Sequence, residues 1–152
     1  MLFGHAGDDC MRVNTTINGN SMEGRLWQDQ EIEVLSLGCG TPHRYDYIVF
    51  RVNQDNDPII KQLWGLPGDK VTVSSNGRFH VNDNEVKTPF GRPYILLGSA
   101  RTRMQKLTQP LDGYLVLGHP GSVDSAKIGL IGARDILGYV PAEAVPQKSV
   151  AH

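Results

Sequence analysis

The residues able to do chemistry are spread thinly along the 152-residue chain. His5, His43, His80, His119 and His152 stand apart, with no HExxH and no partner at ligand spacing, so no metal centre is expected. Ser21 lies in Gly19-Asn20-Ser21-Met22-Glu23, which fails the GxSxG elbow of a Ser-His-Asp hydrolase at its last position, and no helical pattern follows. Gly118-His119-Pro120-Gly121 has neither the spacing nor the lysine of a phosphate-binding loop. Lys61 sits among Ile59, Ile60, Leu63 and Trp64, just before Gly65-Leu66-Pro67-Gly68-Asp69. A lone strand lysine is ordinarily a solubilising charge at a sheet edge, and taken singly none of these segments defines an activity.

Their order along the chain is more informative. Asn20-Ser21-Met22, then Asp46-Tyr47-Ile48-Val49-Phe50, then Lys61 ahead of Gly65-Leu66-Pro67-Gly68-Asp69, then Gly118-His119-Pro120-Gly121-Ser122-Val123-Asp124-Ser125 follow one another. Together they resemble the type I signal peptidases, serine/lysine endopeptidases that remove leader peptides from exported proteins. The resemblance runs over about residues 18–141, and the lysine ahead of Gly-Leu-Pro-Gly-Asp is its most specific piece. It implies a catalytic pair of Ser21 and Lys61, with Ser122 orienting the lysine and Asp124 as the supporting carboxylate. Met22 and Glu23 would border the substrate groove. The backbone N–H of Ser21 would be one oxyanion donor, while Gly19 stands where some members carry a second, hydroxyl donor. No cofactor or metal is implied. The expected partners are a precursor protein or leader peptide and a membrane surface, with no nucleic acid.

The implied pair is chemically sound without histidine. A serine hydroxyl needs an adjacent base to become a nucleophile. Lysine, ordinarily charged in water, becomes a base when an apolar surrounding disfavours its ammonium. Alternation along a strand would put Ile59, Lys61 and Leu63 on one face, aiming the amine into an apolar layer.

The chain departs from the family pattern beside each key residue. Glu23-Gly24-Arg25-Leu26-Trp27-Gln28-Asp29 replaces a Pro-Thr-Leu run and brings a carboxylate to a groove that is normally apolar. His119-Pro120-Gly121 abbreviates the closing segment. Ala126 stands where an arginine normally pairs with the aspartate, so Asp124 is expected to pair with Lys127 or Arg134 instead. These departures keep three other readings in view: a conjugative-transfer peptidase that processes pilin precursors, a self-cleaving SOS-repressor-like protein cutting at Ala6-Gly7, and an inactive peptide-binding domain.

The elements that must position these residues read as strands. Glu31 to Leu37 alternates, and Tyr47 to Val52, Pro58 to Trp64 and Lys70 to Val73 are rich in β-branched and aromatic residues. Asn76-Gly77 between Val71/Val73 and Phe79/Val81 predicts a hairpin with a type I′ turn, and Asp83-Asn84 a further turn. Gly113 to Gly118 and Ile136 to Val140 read as the last strands. Residues 88–110 have no clean period and read as a solvated insertion. No window carries a helical stripe, although Ser125 to Ile131 or Ala142 to Val145 could form a single turn. The expected fold is mainly β, a coiled or partly closed antiparallel sheet of the signal-peptidase kind with a small β-hairpin insertion. The chain, residues 1–152, is expected to be a single catalytic domain with its core at about 18–141 and the hairpin and loop insertion at about 74–112.

Composition sets the outer bounds. Hydrophobic residues at 39% supply a core, and 15 Lys plus Arg against 16 Asp plus Glu leave a net charge of −1, too little for a nucleic-acid backbone. No apolar run reaches the roughly 18 residues of a membrane span, and the first ten residues lack the basic and apolar regions of a secretory signal. Given the resemblance, an N-terminal anchor is expected to be missing from this chain. The catalytic domain is then placed on the periplasmic side of the inner membrane. Cys10 and Cys39 form no CxxC; two free thiols are the preferred reading and a single disulfide the alternative.

Overall fold

The computed structural model describes residues 9–53 and 55–145; the Ala6-Gly7 bond lies outside them. It is mainly β and antiparallel throughout. Among the described residues nine strands form: β1 (Arg12–Thr16), β2 (Glu31–Leu35), β3 (Tyr47–Phe50), β4 (Ile59–Gly65), β5 (Val71–Val73), β6 (Phe79–Val81), β7 (Asn84–Glu85), β8 (Leu115–Leu117) and β9 (Ile136–Val140). Six form one sheet in the order β1-β2-β9-β3-β4-β8, and β5-β6-β7 form a small second sheet. Two short helices, α1 (Gly98–Gln105) and α2 (Ser125–Ile128), flank them. Among the described residues no helix is long and apolar enough to cross a membrane.

Both faces of the large sheet are covered, which explains why its central strands are apolar almost continuously. Ile48, Phe50, Leu63, Val116, Ile136 and Tyr139 pack together in one cluster. A second joins Met22, Leu26, Ile32, Tyr47 and Val140. The third lies between β8 and the small sheet, with Phe79 edge-on to Tyr94 and Leu96, Met104, Leu111 and Leu117 around them.

The turn after β4 explains the Gly-Leu-Pro-Gly-Asp run. Pro67 and Gly68 occupy the centre of a turn closed by a 3.0 Å bond from the Asp69 N–H to the Leu66 carbonyl, and Gly68 has φ +96°, a conformation that favours glycine. The Asp69 carboxylate accepts from the Leu66 N–H at 2.7 Å, from both Arg44 guanidinium nitrogens and from the Asn82 amide. Partial burial works to raise this carboxyl, but those donors outweigh it and hold the group below the usual carboxylate range. The motif therefore anchors the end of β4, and with it the register of Lys61, to the small sheet.

Four sequence expectations are corrected. Residues 88–110 are not a solvated insertion: Tyr94 and Leu96 are buried, and α1 lies within the segment. The helix buries only Met104, so no stripe was there to be read. β1 carries no strand pattern in the sequence, since all five of its residues are exposed; pairing with β2 holds it rather than an apolar face. The Asn76-Gly77 hairpin forms, but only Gly77 has a positive φ there, so the turn is not type I′. A Cβ on Gly77 would stand 2.4 Å from the Leu96 carbonyl oxygen. The two-residue turn with both φ values positive is Asn82-Asp83, between β6 and β7. Finally, Cys10 and Cys39 are joined in a disulfide, not free. It ties the chain just ahead of β1 to the 3-10 turn Leu37–Cys39 after β2. Reduction is expected to lower stability by about 2–4 kcal/mol, read as a shifted denaturation midpoint with and without reductant; an unchanged midpoint would show that β1 needs no tether.

Candidate active site

Ser21 and Lys61 are brought together by two separate devices. Ser21 opens a tight turn: the Glu23 N–H bonds the Asn20 carbonyl at 3.0 Å and the Leu26 N–H bonds the Met22 carbonyl at 2.9 Å. Met22 and Leu26, 1% and 0% exposed, pin that turn into the apolar interior. Met22 is thus an anchor beneath the site rather than a groove wall. Lys61 lies in the middle of β4, opposite Ile48 of β3, on the buried side of the strand with Leu63 and Gly65. Its ammonium is carried across to Ser21, and Nζ lies 2.8 Å from Oγ.

That contact depends on a glycine. A Cβ on Gly118, which follows β8, would stand 2.8 Å from Lys61 Cδ, 2.9 Å from the Ser21 carbonyl oxygen and 3.0 Å from Met22 Sδ. The next residue ties the strand to the serine turn, its N–H bonding the Ser21 carbonyl at 3.1 Å. Gly19 has φ +93°, and a Cβ there would meet nothing within 4 Å. Its conformation, not crowding, calls for glycine. The Ser21 N–H has no acceptor among the described residues.

Lys61 is 2% exposed and its Nζ has one further partner, the Ile60 carbonyl at 3.3 Å. Burial drives its pKa down to about 8, against the opposing pull of the Asp124 charge. Asp124, fully buried, caps α2 through the Ala126 N–H and accepts from the Gly118 N–H and from Tyr94 Oη at 2.8 Å. Burial raises its carboxyl, and those three donors with the Lys61 charge resist the rise. Tyr94 is pushed well up by burial and by Asp124, so it remains a donor.

Two expected contacts are replaced by others. Among the described residues the Asp124 carboxylate pairs with neither the Lys127 nor the Arg134 side chain; its side-chain partner is Tyr94 Oη, and Arg103 of α1 reaches over to the Ala126 carbonyl at 2.8 Å. Ser122 does not bond Lys61: its hydroxyl donates to the His119 carbonyl at 2.6 Å, although Ser122 lines the same groove. Tyr94 had no signal of its own in the sequence, since it lies in a stretch without period. Gly118 was visible only as part of the closing segment.

The groove beside the pair has a volume of about 540 Å³ and is lined by Ile17, Ile32, Val49, Pro58, Ile59 and Ile60, by the polar Thr15, Thr16, Asn18 and Asp57, and by Ser21, Lys61 and Ser122. A smaller depression of about 360 Å³ adjoins Ser21 and includes Glu23 and His119. No group of three or more His, Cys, Asp or Glu among the described residues is placed to hold a metal ion.

A serine hydroxyl beside a buried lysine amine, in a groove edged by sheet strands, is an arrangement that can support acyl transfer to the serine. Residues 11–144 match the family described as signal peptidase, peptidase S26. The chain is 32% identical over 151 residues to signal peptidase I of Bacillus caldolyticus, an alignment covering 91% of this chain and 82% of that one. Signal peptidase IB of Staphylococcus aureus is 30% identical over 156 residues, with 90% and 80% covered. A crystal structure of a signal peptidase I from Enterococcus faecalis V583 aligns with a TM-score of 0.45 and 21% identity over 66% of this chain and 97% of that one. The chain belongs to the signal peptidase family, peptidase S26, and is a hydrolase of the serine peptidase class.

Proposed function

We propose that the chain is a leader-peptide endopeptidase in which Ser21 is the nucleophile and Lys61 the general base. The observation that carries this reading is the 2.8 Å contact between Lys61 Nζ and Ser21 Oγ inside an apolar surrounding. Neutral Lys61 accepts the Ser21 proton as Oγ attacks the scissile carbonyl. The resulting ammonium returns that proton to the leaving amine, and neutral Lys61 then activates water to release the acyl group. The Ser21 N–H, without an acceptor among the described residues, would stabilise the oxyanion. Asp124, held by Tyr94, Gly118 and Ala126, stabilises the ammonium in the charged intermediates. The leader would lie as an added strand along the groove, with small residues at −1 and −3 against its apolar walls.

In this reading residues 18–141 act as one catalytic unit carrying 74–112 as an insertion, and the enzyme works on the extracytoplasmic side of a membrane, where precursors emerge. Nothing in the relatives calls for the pilin-processing, self-cleaving or silent binding alternatives.

The test is direct. Incubation with a precursor carrying an Ala-x-Ala site should give a mature N-terminus one residue beyond it, read by mass spectrometry. Because only neutral Lys61 is a base, kcat/KM should rise about tenfold per pH unit below about 8 and level off above it. A profile that is flat from pH 6 to 9, or that keeps rising to pH 10, would exclude Lys61 as the base.

A further inference from the structure

The smaller depression beside Ser21 has no role in the reading above. Ser21 and Ser122 line both hollows, whereas Lys61 lines only the larger one, so the nucleophile stands between them. A peptide crossing Ser21 would thus lay one side of its scissile bond in each. The larger groove has the apolar walls and strand edges suited to a leader. The smaller hollow is bounded by Asn20, Glu23, Phe90, His119 and Pro120, and its character is polar and aromatic.

Its parts are held in place. Gly24 packs so closely beneath the loop at residues 88–91 that a Cβ there would stand 2.6 Å from the Pro89 carbonyl oxygen. That loop is closed by bonds between Thr88 and Arg92 and between Gly91 and Thr88, and it presents Phe90 with 58% of its surface exposed. The His119 ring lies against Phe90, with centroids 4.6 Å apart, and its Nε2 is 2.7 Å from the Glu23 carbonyl oxygen. Since that oxygen can only accept, Nε2 carries the proton and donates. The Glu23 carboxylate has neither a hydrogen bond nor an ion pair among the described residues. An uncommitted carboxylate and a largely exposed phenyl ring lining one hollow suit a cation: the acid supplies the charge and the ring a cation–π surface.

We propose that the hollow of Glu23, Phe90 and His119 binds the first residues of the mature chain, on the amine side of the scissile bond, and selects a lysine or arginine there over an acidic residue. The inference rests on the endopeptidase reading and adds a specificity to it. The two walls come from different parts of the chain, Glu23 from the serine turn and His119 from the segment after β8.

The experiment uses the full chain and peptides with one common leader segment ending in Ala-x-Ala, differing only in Lys, Gln or Glu at +1, +2 or +3. At low salt the wild type should cut the best Lys peptide about fivefold faster in kcat/KM than the matching Glu peptide, as expected for an exposed charge pair. In Glu23→Gln that ratio should fall below about twofold, and in Phe90→Ala the Lys peptide should lose more than the Gln peptide. Raising salt to about 0.5 M should shrink the wild-type ratio. If all three peptides are cut at equal rates, or if Glu23→Gln keeps the wild-type ratio, the subsite is wrong while the endopeptidase reading stands. If wild type cuts none of them, the endopeptidase reading fails and the subsite with it.

Discussion

Lys61→Met is expected to abolish precursor cleavage while making the protein more stable at neutral pH. The loss should be at least about 1,000-fold in kcat/KM, because a serine without its base keeps only what binding and the oxyanion donor supply. Methionine fills the volume of the lysine stem without a charge, so no cavity is opened. The gain in stability follows from the same burial that makes Lys61 a base. Its pKa falls from 10.5 to about 8 on folding, so between those values the unfolded chain binds the extra proton and stability climbs with pH. Below about 8 the folded protein bears the full penalty of a buried ammonium. Removing it should therefore raise stability by about 1–3 kcal/mol at pH 7, part of the gain being offset by loss of the Ser21 bond and of the countercharge to Asp124. The advantage should vanish above about pH 10.5. Urea unfolding of both proteins at pH 7 and 10.5 reads this. An active Lys61→Met would refute the mechanism, and a destabilised one would mean that Lys61 is held by interactions worth more than its desolvation.

Gly118→Ala is the second large effect, and it comes from a residue with no chemistry of its own. The added methyl would meet Lys61 Cδ at 2.8 Å and the Ser21 carbonyl at 2.9 Å. The lysine stem can shift, but the backbone oxygen is held by the His119 N–H. Separating strand from turn should cost about 1–3 kcal/mol and move Nζ away from Oγ. A displacement of the order of 1 Å lowers catalysis about 100-fold. The measured signature is a fall in kcat with a folded circular dichroism spectrum and a lowered Tm. If kcat stays within twofold of wild type, the close approach of β8 to the serine turn is not what sets the pair.

Strand positions were legible in the sequence wherever burial on both faces made a strand apolar, as in β3, β4 and β8, or where one face alternated, as in β2. They were not legible in β1, whose fully exposed residues are held only by backbone pairing, nor in α1, with its single buried side chain. The turn type at Asn76-Gly77 escaped for a related reason. Leu96, which sets the space around Gly77, comes from outside the hairpin.

For the site, the residue types and their order along the chain determined the chemistry. A serine two residues after a glycine, and a lysine in an apolar strand ahead of a turn anchored by Asp69, already supply the groups of the proposed nucleophile and base. Everything that depends on distance was decided by the tertiary structure. Lys61 loses its water because β3, β8 and the serine turn close around it, and its amine meets Ser21, 40 residues distant in sequence. Asp124 meets Tyr94, 30 residues away in sequence, and not the side chains of Lys127 or Arg134, because the fold buries the carboxylate against the tyrosine hydroxyl. Cys10 meets Cys39 because β1 and β2 pair in the register Arg12 opposite Leu35. Spacing along a chain records which groups are available, and only packing fixes which of them lose their water and touch.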